Sequence, residues 1–249
     1  MIEQKIVDTI SIGKLWSLLD ADAIRPWYHH SWLFPRDAQF VEKAGPILDL
    51  YQGLCDGQAL RAREYVLAFD QKTSIQARAR LHPNVPVGAG HPQLVEHEYA
   101  RQGALNYLAL FAVQSGQVFG RCYARRRRVE VEQFWNEALA QPPYHDAQVI
   151  HVILDNCSCQ HPNTFPTWVK AQHPKVQLHY LPTHASWLNQ IEIFFSIVQR
   201  KCLTPNHFRD LSHLTARLSE FEAFYNRTAQ PFKWNFTRAD LETRLNLLR

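Results

Sequence analysis

One stretch of the sequence indicates the fold most strongly, a short apolar run that ends in an acid, Val149-Ile150-His151-Val152-Ile153-Leu154-Asp155-Asn156. A run this short and this apolar is typical of a strand that is buried on both faces of a sheet. A second run of the same kind, Tyr65-Val66-Leu67-Ala68-Phe69-Asp70, also ends in an aspartate. Both acids are therefore predicted at strand ends, where an α/β sheet exposes polar groups to ligands.

Strand-like and helix-like segments follow one another around these two runs. A pair of apolar runs joined by a glycine-containing turn predicts a hairpin, and helical spacing predicts the helices. The predicted strands are residues 65–70, 105–113, 118–123, 149–154 and 176–181, and the predicted helices are residues 35–54, 129–140, 163–172, 186–203 and 211–226. This order predicts an α/β fold, a mixed sheet with an antiparallel pair at one side and helices on its faces.

A third acid, Glu192, lies in the predicted helix 186–203. At about 100° per residue, this helix has an apolar stripe that must face the core, and we assign Trp187 to that stripe. Glu192 lies at the edge of the stripe, from where its carboxylate can lean over the end of the sheet. Asn189 and Gln199 lie on the same polar flank and are candidates for contact with a substrate.

Three carboxylates in one place have a specific chemical meaning. Asp70, Asp155 and Glu192 together can hold a pair of divalent cations, which is the apparatus that cuts and joins phosphodiester bonds. Each acid alone has a simpler explanation, because an aspartate after a strand suits a turn and a glutamate at a helix edge is usually solvated. The combination is what favours a catalytic site.

The length and composition of the chain are those of an ordinary globular protein. The chain has 249 residues, enough for one substantial core, and its apolar fraction of 46% and charged fraction of 20% are ordinary for a soluble protein. No window resembles a membrane span or a secretory signal, so we expect a cytoplasmic protein. The five cysteines do not form a disulfide-like framework. A zinc site at Cys157-Ser158-Cys159-Gln160-His161 is a weaker alternative, because no second Cys/His pair has a customary spacing.

The net charge of +4 is small, but the basic residues are clustered. Arg78 and Arg80 form one cluster, and the run Arg125–Arg128 forms another. Such clusters suit a polyanion such as DNA. A solvated turn or helix start is the alternative explanation for each of them.

Three segments carry a resemblance to a known family: Phe69-Asp70-x-Lys72-Thr73, Leu154-Asp155-Asn156-x-Ser158 and Leu181-Pro182-Thr183-His184-Ala185-Ser186-Trp187-Leu188-Asn189-x-Ile191-Glu192. They resemble the catalytic core of DDE transposases, and more narrowly the bacterial insertion-sequence branch of the mariner superfamily. The 36 residues between Asp155 and Glu192 are close to the separation in that superfamily. Two positions depart from the pattern, because Gln71 stands where an acid is common and Gln160 where a histidine is common.

The resemblance implies a fold, a cofactor and partners. It implies a ribonuclease H-like catalytic domain and two Mg²⁺ ions, for which Mn²⁺ can substitute. Asp70 would bridge the ions, and Asp155 and Glu192 would each bind one. The implied reaction is cleavage of the element's DNA ends and their transfer into target DNA at a TA step, by a homodimer in the bacterial nucleoid and without a membrane.

The resemblance also implies a division of the chain. Residues 1–55 are expected to be a partial helix-turn-helix segment with a linker helix, residues 60–235 the catalytic domain, and residues 236–249 a C-terminal helical tail. In the first segment, Ser11–Leu19 resembles a recognition helix with Ser11 as its N-cap, and we expect an upstream unit to be missing. The candidate DNA contacts are Lys14, Arg78, Arg80, Arg125, Arg126, Arg127, Arg128, His184, Asn189 and Gln199.

Two other functions compete with the transposase. One is a catalytically inactive or truncated transposase-derived protein that only binds DNA, and the presence of all three carboxylates argues against it. The other is a different nuclease of the same fold, such as a ribonuclease H or a Holliday-junction resolvase. The segment Ser186-Trp187-Leu188-Asn189-x-Ile191-Glu192 argues against that alternative.

Overall fold

The computed structural model describes residues 9–21 and 37–246 and divides the chain into two compact units, Met1–Pro35 and Arg36–Arg249. In the first unit, helix α1 spans Ile12–Ala21. Ser11 caps this helix as predicted, because its Oγ accepts a hydrogen bond from the backbone N–H of Lys14 at 3.1 Å.

The second unit contains a sheet with helices on both faces. Its elements in chain order are α2 (Phe40–Tyr51), β1 (Leu54–Cys55), β2 (Gln58–Ala59), β3 (Glu64–Arg80), β4 (Tyr99–Ala112), β5 (Val118–Tyr123), α3 (Arg128–Leu139), β6 (Val149–Leu154), α4 (Phe165–Gln172), β7 (Val176–Tyr180), α5 (Ile191–Lys201), α6 (Leu211–Arg227) and α7 (Arg238–Asn246). Short 3₁₀ helices span Tyr144–Asp146, Ser158–Gln160 and Ser186–Leu188.

The sheet of the described residues has five strands in the order β5-β4-β3-β6-β7, beside a separate two-stranded ribbon of β1 and β2. β4 runs antiparallel to both β3 and β5, whereas β3, β6 and β7 are parallel. The mixed sheet with an antiparallel pair at one side is therefore confirmed, and this five-stranded sheet with flanking helices agrees with the expected ribonuclease H-like fold.

Both faces of the sheet are buried, and successive residues of the central strand β3 serve opposite faces. Val66 and Ala68 pack into the core beneath α2, α5 and α6, whereas Leu67 and Phe69 pack into the core beneath α3 and α4. Every one of these four side chains is fully buried. The near-continuous apolar runs in the sequence follow from this two-sided burial.

Strand β3 is longer than the sequence predicts, so Asp70 is not at its end. The pairing with β6 stops at Ala68, but β3 continues to Arg80 as a ribbon paired with β4. The ribbon carries polar residues and two register irregularities, which hide its strand character in the sequence. Asp70 lies just beyond the point where β3 stops pairing with β6. It therefore lies at the end of the parallel part of the sheet, although β3 itself continues.

The predicted continuous helix 186–203 is wrong in its first turn. The chain forms a 3₁₀ helix at Ser186–Leu188, takes an extended conformation at Asn189, and begins α5 only at Ile191. Trp187 therefore does not belong to the apolar stripe of α5, and its assignment to the core is wrong because its side chain is 48% exposed.

Helices α2 and α7 pack on the same core as the sheet. Ile47 and Leu48 of α2 are fully buried there, and Leu241 of α7 joins them. An ion pair at 3.1 Å between Arg238 and Asp49 also connects the two helices. Within the described ranges, no helix is both long and apolar enough to cross a membrane.

Candidate active site

The register of β3 and β6 places Asp70 and Asp155 side by side. Ala68 and Ile153 are partners in this parallel pair, and each aspartate follows its partner residue by two positions. Since strand side chains alternate between faces, both aspartates project to the face of Ala68 and Ile153. Helix α5 packs on that same face and carries Glu192 in its first turn. The topology thus brings the three acids of the sequence prediction to one end of one face.

The proximity of the other two acids changes the electrostatics of Asp70. Burial, followed by the negative charge of Asp155, raises the pKa of Asp70 to about 8, and Glu192 adds its charge and a side-chain hydrogen bond. A hydrogen bond of 2.7 Å from the backbone N–H of Gln71 opposes the rise only in part. The Asp70 carboxyl therefore holds a proton at neutral pH unless a cation takes its place.

Asp155 is held by its own turn and by Gln160. The backbone N–H of Cys157 donates to Asp155 Oδ1 at 3.2 Å. The Gln160 amide, which is fully buried, donates both to the same Oδ1 and, at 3.1 Å, to the Asp155 backbone carbonyl. Tyr180 of β7 fixes Gln160 through a 2.9 Å bond to its carbonyl. The glutamine that departs from the family pattern thus positions the aspartate.

The start of α5 is fixed by two long-range contacts. Asn189 is 1% exposed, and its side-chain amide donates to the Phe69 carbonyl at 3.0 Å, one residue before Asp70. The hydroxyl of Tyr51 on α2 donates to the Leu188 carbonyl at 2.7 Å and accepts from the Gln190 N–H at 3.3 Å. These bonds hold the first turn of α5, and with it Glu192, against β3. Asn189 therefore has this structural role instead of the predicted contact with DNA.

The donor set fits a hard divalent cation. Asp70, Asp155 and Glu192 supply only carboxylate oxygens, which Mg²⁺ and Mn²⁺ prefer. Within residues 9–21 and 37–246, however, no three His, Cys, Asp or Glu side chains already have the spacing of a metal site. Without a cation, the charge of Asp155 and the charge and hydrogen bond of Glu192 add to the effect of burial and raise the pKa of Asp70, which favours its protonated form. Metal binding would displace that proton and draw the carboxylates together.

The pH dependence of stability tests the burial of Asp70. An aspartate of the unfolded chain loses its proton near pH 3.9, whereas Asp70 in the folded chain loses it near pH 8. The folded state therefore loses stability as the pH rises between these values. The neutral Asp70→Asn variant escapes this loss. In EDTA, we expect its melting temperature to exceed that of the wild type by several degrees at pH 8 and by less at pH 5.

Asp146→Asn is the matched control for this comparison, because its side chain is 64% exposed and lies at the opposite end of β6. Thermal unfolding at the two pH values measures both differences. An Asp70→Asn advantage that does not change with pH would contradict the raised pKa. Addition of Mg²⁺ at pH 8 should raise the melting temperature of the wild type more than that of Asp70→Asn.

The arginines on the β3–β4 ribbon make contacts within the protein. Arg78 and Arg80 both stack on the ring of Tyr99, with guanidinium carbons 4.5 Å and 5.5 Å from its centroid. Arg80 also donates to the His97 carbonyl at 3.3 Å. Both side chains are half-buried. They remain candidates for phosphate contact, presented on a ribbon that extends beyond Asp70.

The four consecutive arginines before and at the start of α3 differ in availability. Arg127 pairs with Glu130 at 2.6 Å, and Arg128 pairs with Glu132 at 2.5 Å. Arg125 and Arg126 are exposed, and Arg126 Nη1 lies 3.5 Å from the Sγ of Cys157. Arg126 therefore lies beside the turn that follows Asp155, in a position to approach a substrate phosphate.

The other candidate DNA contacts are dispersed. His184 is exposed with a left-handed backbone (φ 62°), and Gln199 is exposed on α5 with a 3.2 Å bond to Thr204. Lys14 is exposed on α1 in the N-terminal unit. The sequence did not predict the supporting roles of Tyr51, Gln160 and Asn189. In the structure, Gln160 and Asn189 are recognisable as supports because they are polar side chains that are buried.

Comparison with known proteins identifies the family of the segment that carries the three acids. The sequence profile of the DDE superfamily endonuclease family matches residues 66–215, a range that includes all three acids. No functionally curated protein matches the chain by sequence.

Solved structures of one transposase share the fold. The crystal structure of the Mos1 mariner paired end complex with Mn has a TM-score of 0.55 at 12% identity, and the similarity covers 88% of this chain and 74% of that chain. The pre-cleavage Mos1 transpososome has a TM-score of 0.54 at 11% identity, with the same coverage of both chains. At this level of identity the similarity concerns the fold.

Proposed function

Because the chain belongs to the DDE superfamily of endonucleases, we propose that it is a transposase that cleaves DNA and transfers the cut strands. The observation that carries this proposal is that Asp155, from the neighbouring parallel strand, and Glu192, from α5, both lie close enough to the buried Asp70 carboxyl to act on it. We assign these three residues as catalytic. The Mos1 complexes contain transposon ends and, in one case, Mn, and such a substrate suits the basic residues of this chain.

The proposed mechanism divides the work between the acids and their supports. Two Mg²⁺ ions, or Mn²⁺ in their place, would activate water and neutralise the charge that develops on the phosphate oxygens. Asp70, Asp155 and Glu192 would hold them. Gln160 fixes the Asp155 carboxylate, and Asn189 and Tyr51 fix the helix that carries Glu192. Once metal binding has drawn the carboxylates together, these supports would keep them in place during the reaction.

The finer features of the function follow the family resemblance. The proposed substrate is the pair of DNA ends of an insertion sequence, with a TA step as target and two copies of the chain acting together. Residues 1–55 would contribute to recognition of those ends, residues 60–235 would catalyse, and residues 236–249 would form the tail. Arg126 and the ribbon arginines would contact phosphates near the cut.

A plasmid assay tests the catalytic function directly. Supercoiled DNA incubated with the chain and Mg²⁺ is expected to be converted to nicked and linear forms. An RNA–DNA hybrid and a four-way junction in the same assay separate the transposase from a ribonuclease H and from a resolvase. If the chain retains DNA without cleaving any substrate, the DNA-binding alternative replaces the enzyme.

The role of Arg126 can be measured through the salt dependence of DNA binding. Each phosphate contact adds about 0.9 to the slope of log K against log salt. We expect Arg126→Ala to lower the affinity for DNA of any sequence and to reduce this slope by about 0.9. Arg61→Ala is the matched control, because Arg61 is exposed but precedes β3 at the opposite end of the parallel strands. Equal losses in both variants would contradict a local contact at the active site.

A further inference from the structure

Two cysteine sulfurs are in contact beside Asp155. The turn that leads into the 3₁₀ helix Ser158–Gln160 brings the Sγ atoms of Cys157 and Cys159 to 2.9 Å. Cys157 is half-buried and reachable by a small reagent, whereas Cys159 is 7% exposed. Both are free thiols. Oxidation could join these two sulfurs with little rearrangement, because they are already neighbours.

The pair is connected to both catalytic aspartates. The backbone N–H of Cys157 donates to Asp155 at 3.2 Å. The side-chain amide of Gln71 donates to the Cys159 sulfur at 3.0 Å, and the backbone N–H of the same glutamine donates to Asp70 at 2.7 Å. A change at the sulfurs therefore reaches Asp155 through the turn and Asp70 through Gln71.

We propose that Cys157 and Cys159 are a modification site, a dithiol that a peroxide converts reversibly to a disulfide and that thereby switches the active site off. Peroxide first oxidises one thiol to a sulfenic acid and is reduced to water. The second thiol then attacks that sulfur, the S–S bond forms, and the sulfenic oxygen leaves as a second water. A dithiol reductant reverses the change by thiol–disulfide exchange.

The disulfide would alter the site in two ways. It would fix the turn whose N–H holds Asp155, and it would change the acceptor that the Gln71 side chain contacts. Displacement of a catalytic group by about 1 Å can lower a rate about 10²-fold. The predicted loss of cleavage rests on the proposed function, whereas formation of the bond does not.

Mass spectrometry of the full chain decides whether the bond forms. Cleavage by trypsin after Arg128 and Lys170 releases one peptide that contains both cysteines. After peroxide and alkylation, we expect this peptide to be two hydrogens lighter than the thiol form and to carry no alkyl group. Reductant should restore both alkylation sites. Two alkylated thiols after peroxide, or added oxygen that reductant does not remove, would overturn the proposal.

Plasmid nicking measures the consequence of the bond. The oxidised wild type should nick about 10²-fold more slowly than the reduced chain and recover with reductant. Cys157→Ser and Cys159→Ser should keep their own rates through the same treatment, and Cys55→Ser, which leaves the pair intact, should lose activity like the wild type. A disulfide that leaves the nicking rate unchanged refutes the switch.

The two proposals fail in distinguishable ways. If the reduced wild type does not nick DNA, the proposed function fails, while the peptide mass still decides the disulfide. In that case, amide hydrogen exchange of residues 155–160 decides whether the bond affects the Asp155 turn. Unchanged exchange between the reduced and oxidised chains would then refute the coupling.

Discussion

Asp155→Asn is expected to lose DNA cleavage by about 10³-fold or more, because metal-assisted stabilisation of the transition state is worth several kcal/mol. Asparagine keeps the size of the side chain and an oxygen that accepts the bond from Cys157. It removes one negative charge from the cluster of three acids. Affinity for DNA should therefore stay the same or increase slightly, since repulsion of phosphates decreases. Plasmid nicking and a filter-binding assay measure the two quantities separately.

The control for this variant is Asp146→Asn, which removes the same charge from an exposed position before β6. It should cleave at the wild-type rate. Retention of the wild-type cleavage rate by Asp155→Asn would contradict the assignment of the three carboxylates. A simultaneous loss of cleavage and of DNA affinity would point instead to a folding defect, which thermal unfolding of the variant identifies.

The identity of the divalent cation is expected to have an all-or-none effect. Cleavage should be absent in EDTA and present with Mg²⁺ or Mn²⁺. Ca²⁺ should not support it, because its six to eight ligands at about 2.3–2.6 Å suit the in-line geometry poorly compared with octahedral Mg²⁺ at about 2.0–2.1 Å. A titration of each cation in the nicking assay measures this.

Ca²⁺ also supplies an internal control for the cation series. DNA retained by the chain in Ca²⁺ without being cut shows that binding is intact, and subsequent Mg²⁺ should start cleavage. Undiminished cleavage in EDTA would show that the carboxylates act without a divalent cation, and the proposed mechanism would be wrong.

The parts of the fold that sequence predicts well are those with local signals. Strands β5 and β6 have the predicted bounds, because each is a short apolar run with turn residues beside it. The mixed sheet and the endonuclease family were also predicted correctly. Strand β3 is longer than predicted, because polar residues interrupt the apolar pattern after Asp70. The ribbon there is held by its pairing with β4 and by the buried side chains of Ile75 and Ala77.

The supports of the site depend on contacts between distant residues. Asn189 interrupts the predicted helix because its amide bonds the Phe69 carbonyl, 120 positions away in sequence. Tyr51 bonds Leu188 from a helix that the sequence assigns to a different domain. Helical periodicity cannot report such contacts. It therefore predicts a buried Trp187 and an exposed Asn189, whereas the structure has Trp187 exposed and Asn189 buried.

Anomalous diffraction from crystals of the chain grown with Mn²⁺ would locate the metal directly. We expect anomalous density between Asp70, Asp155 and Glu192, at coordination distance from their carboxylate oxygens, and its loss in Asp155→Asn. Manganese bound elsewhere, with no density between these three side chains, would contradict the assignment of the three carboxylates.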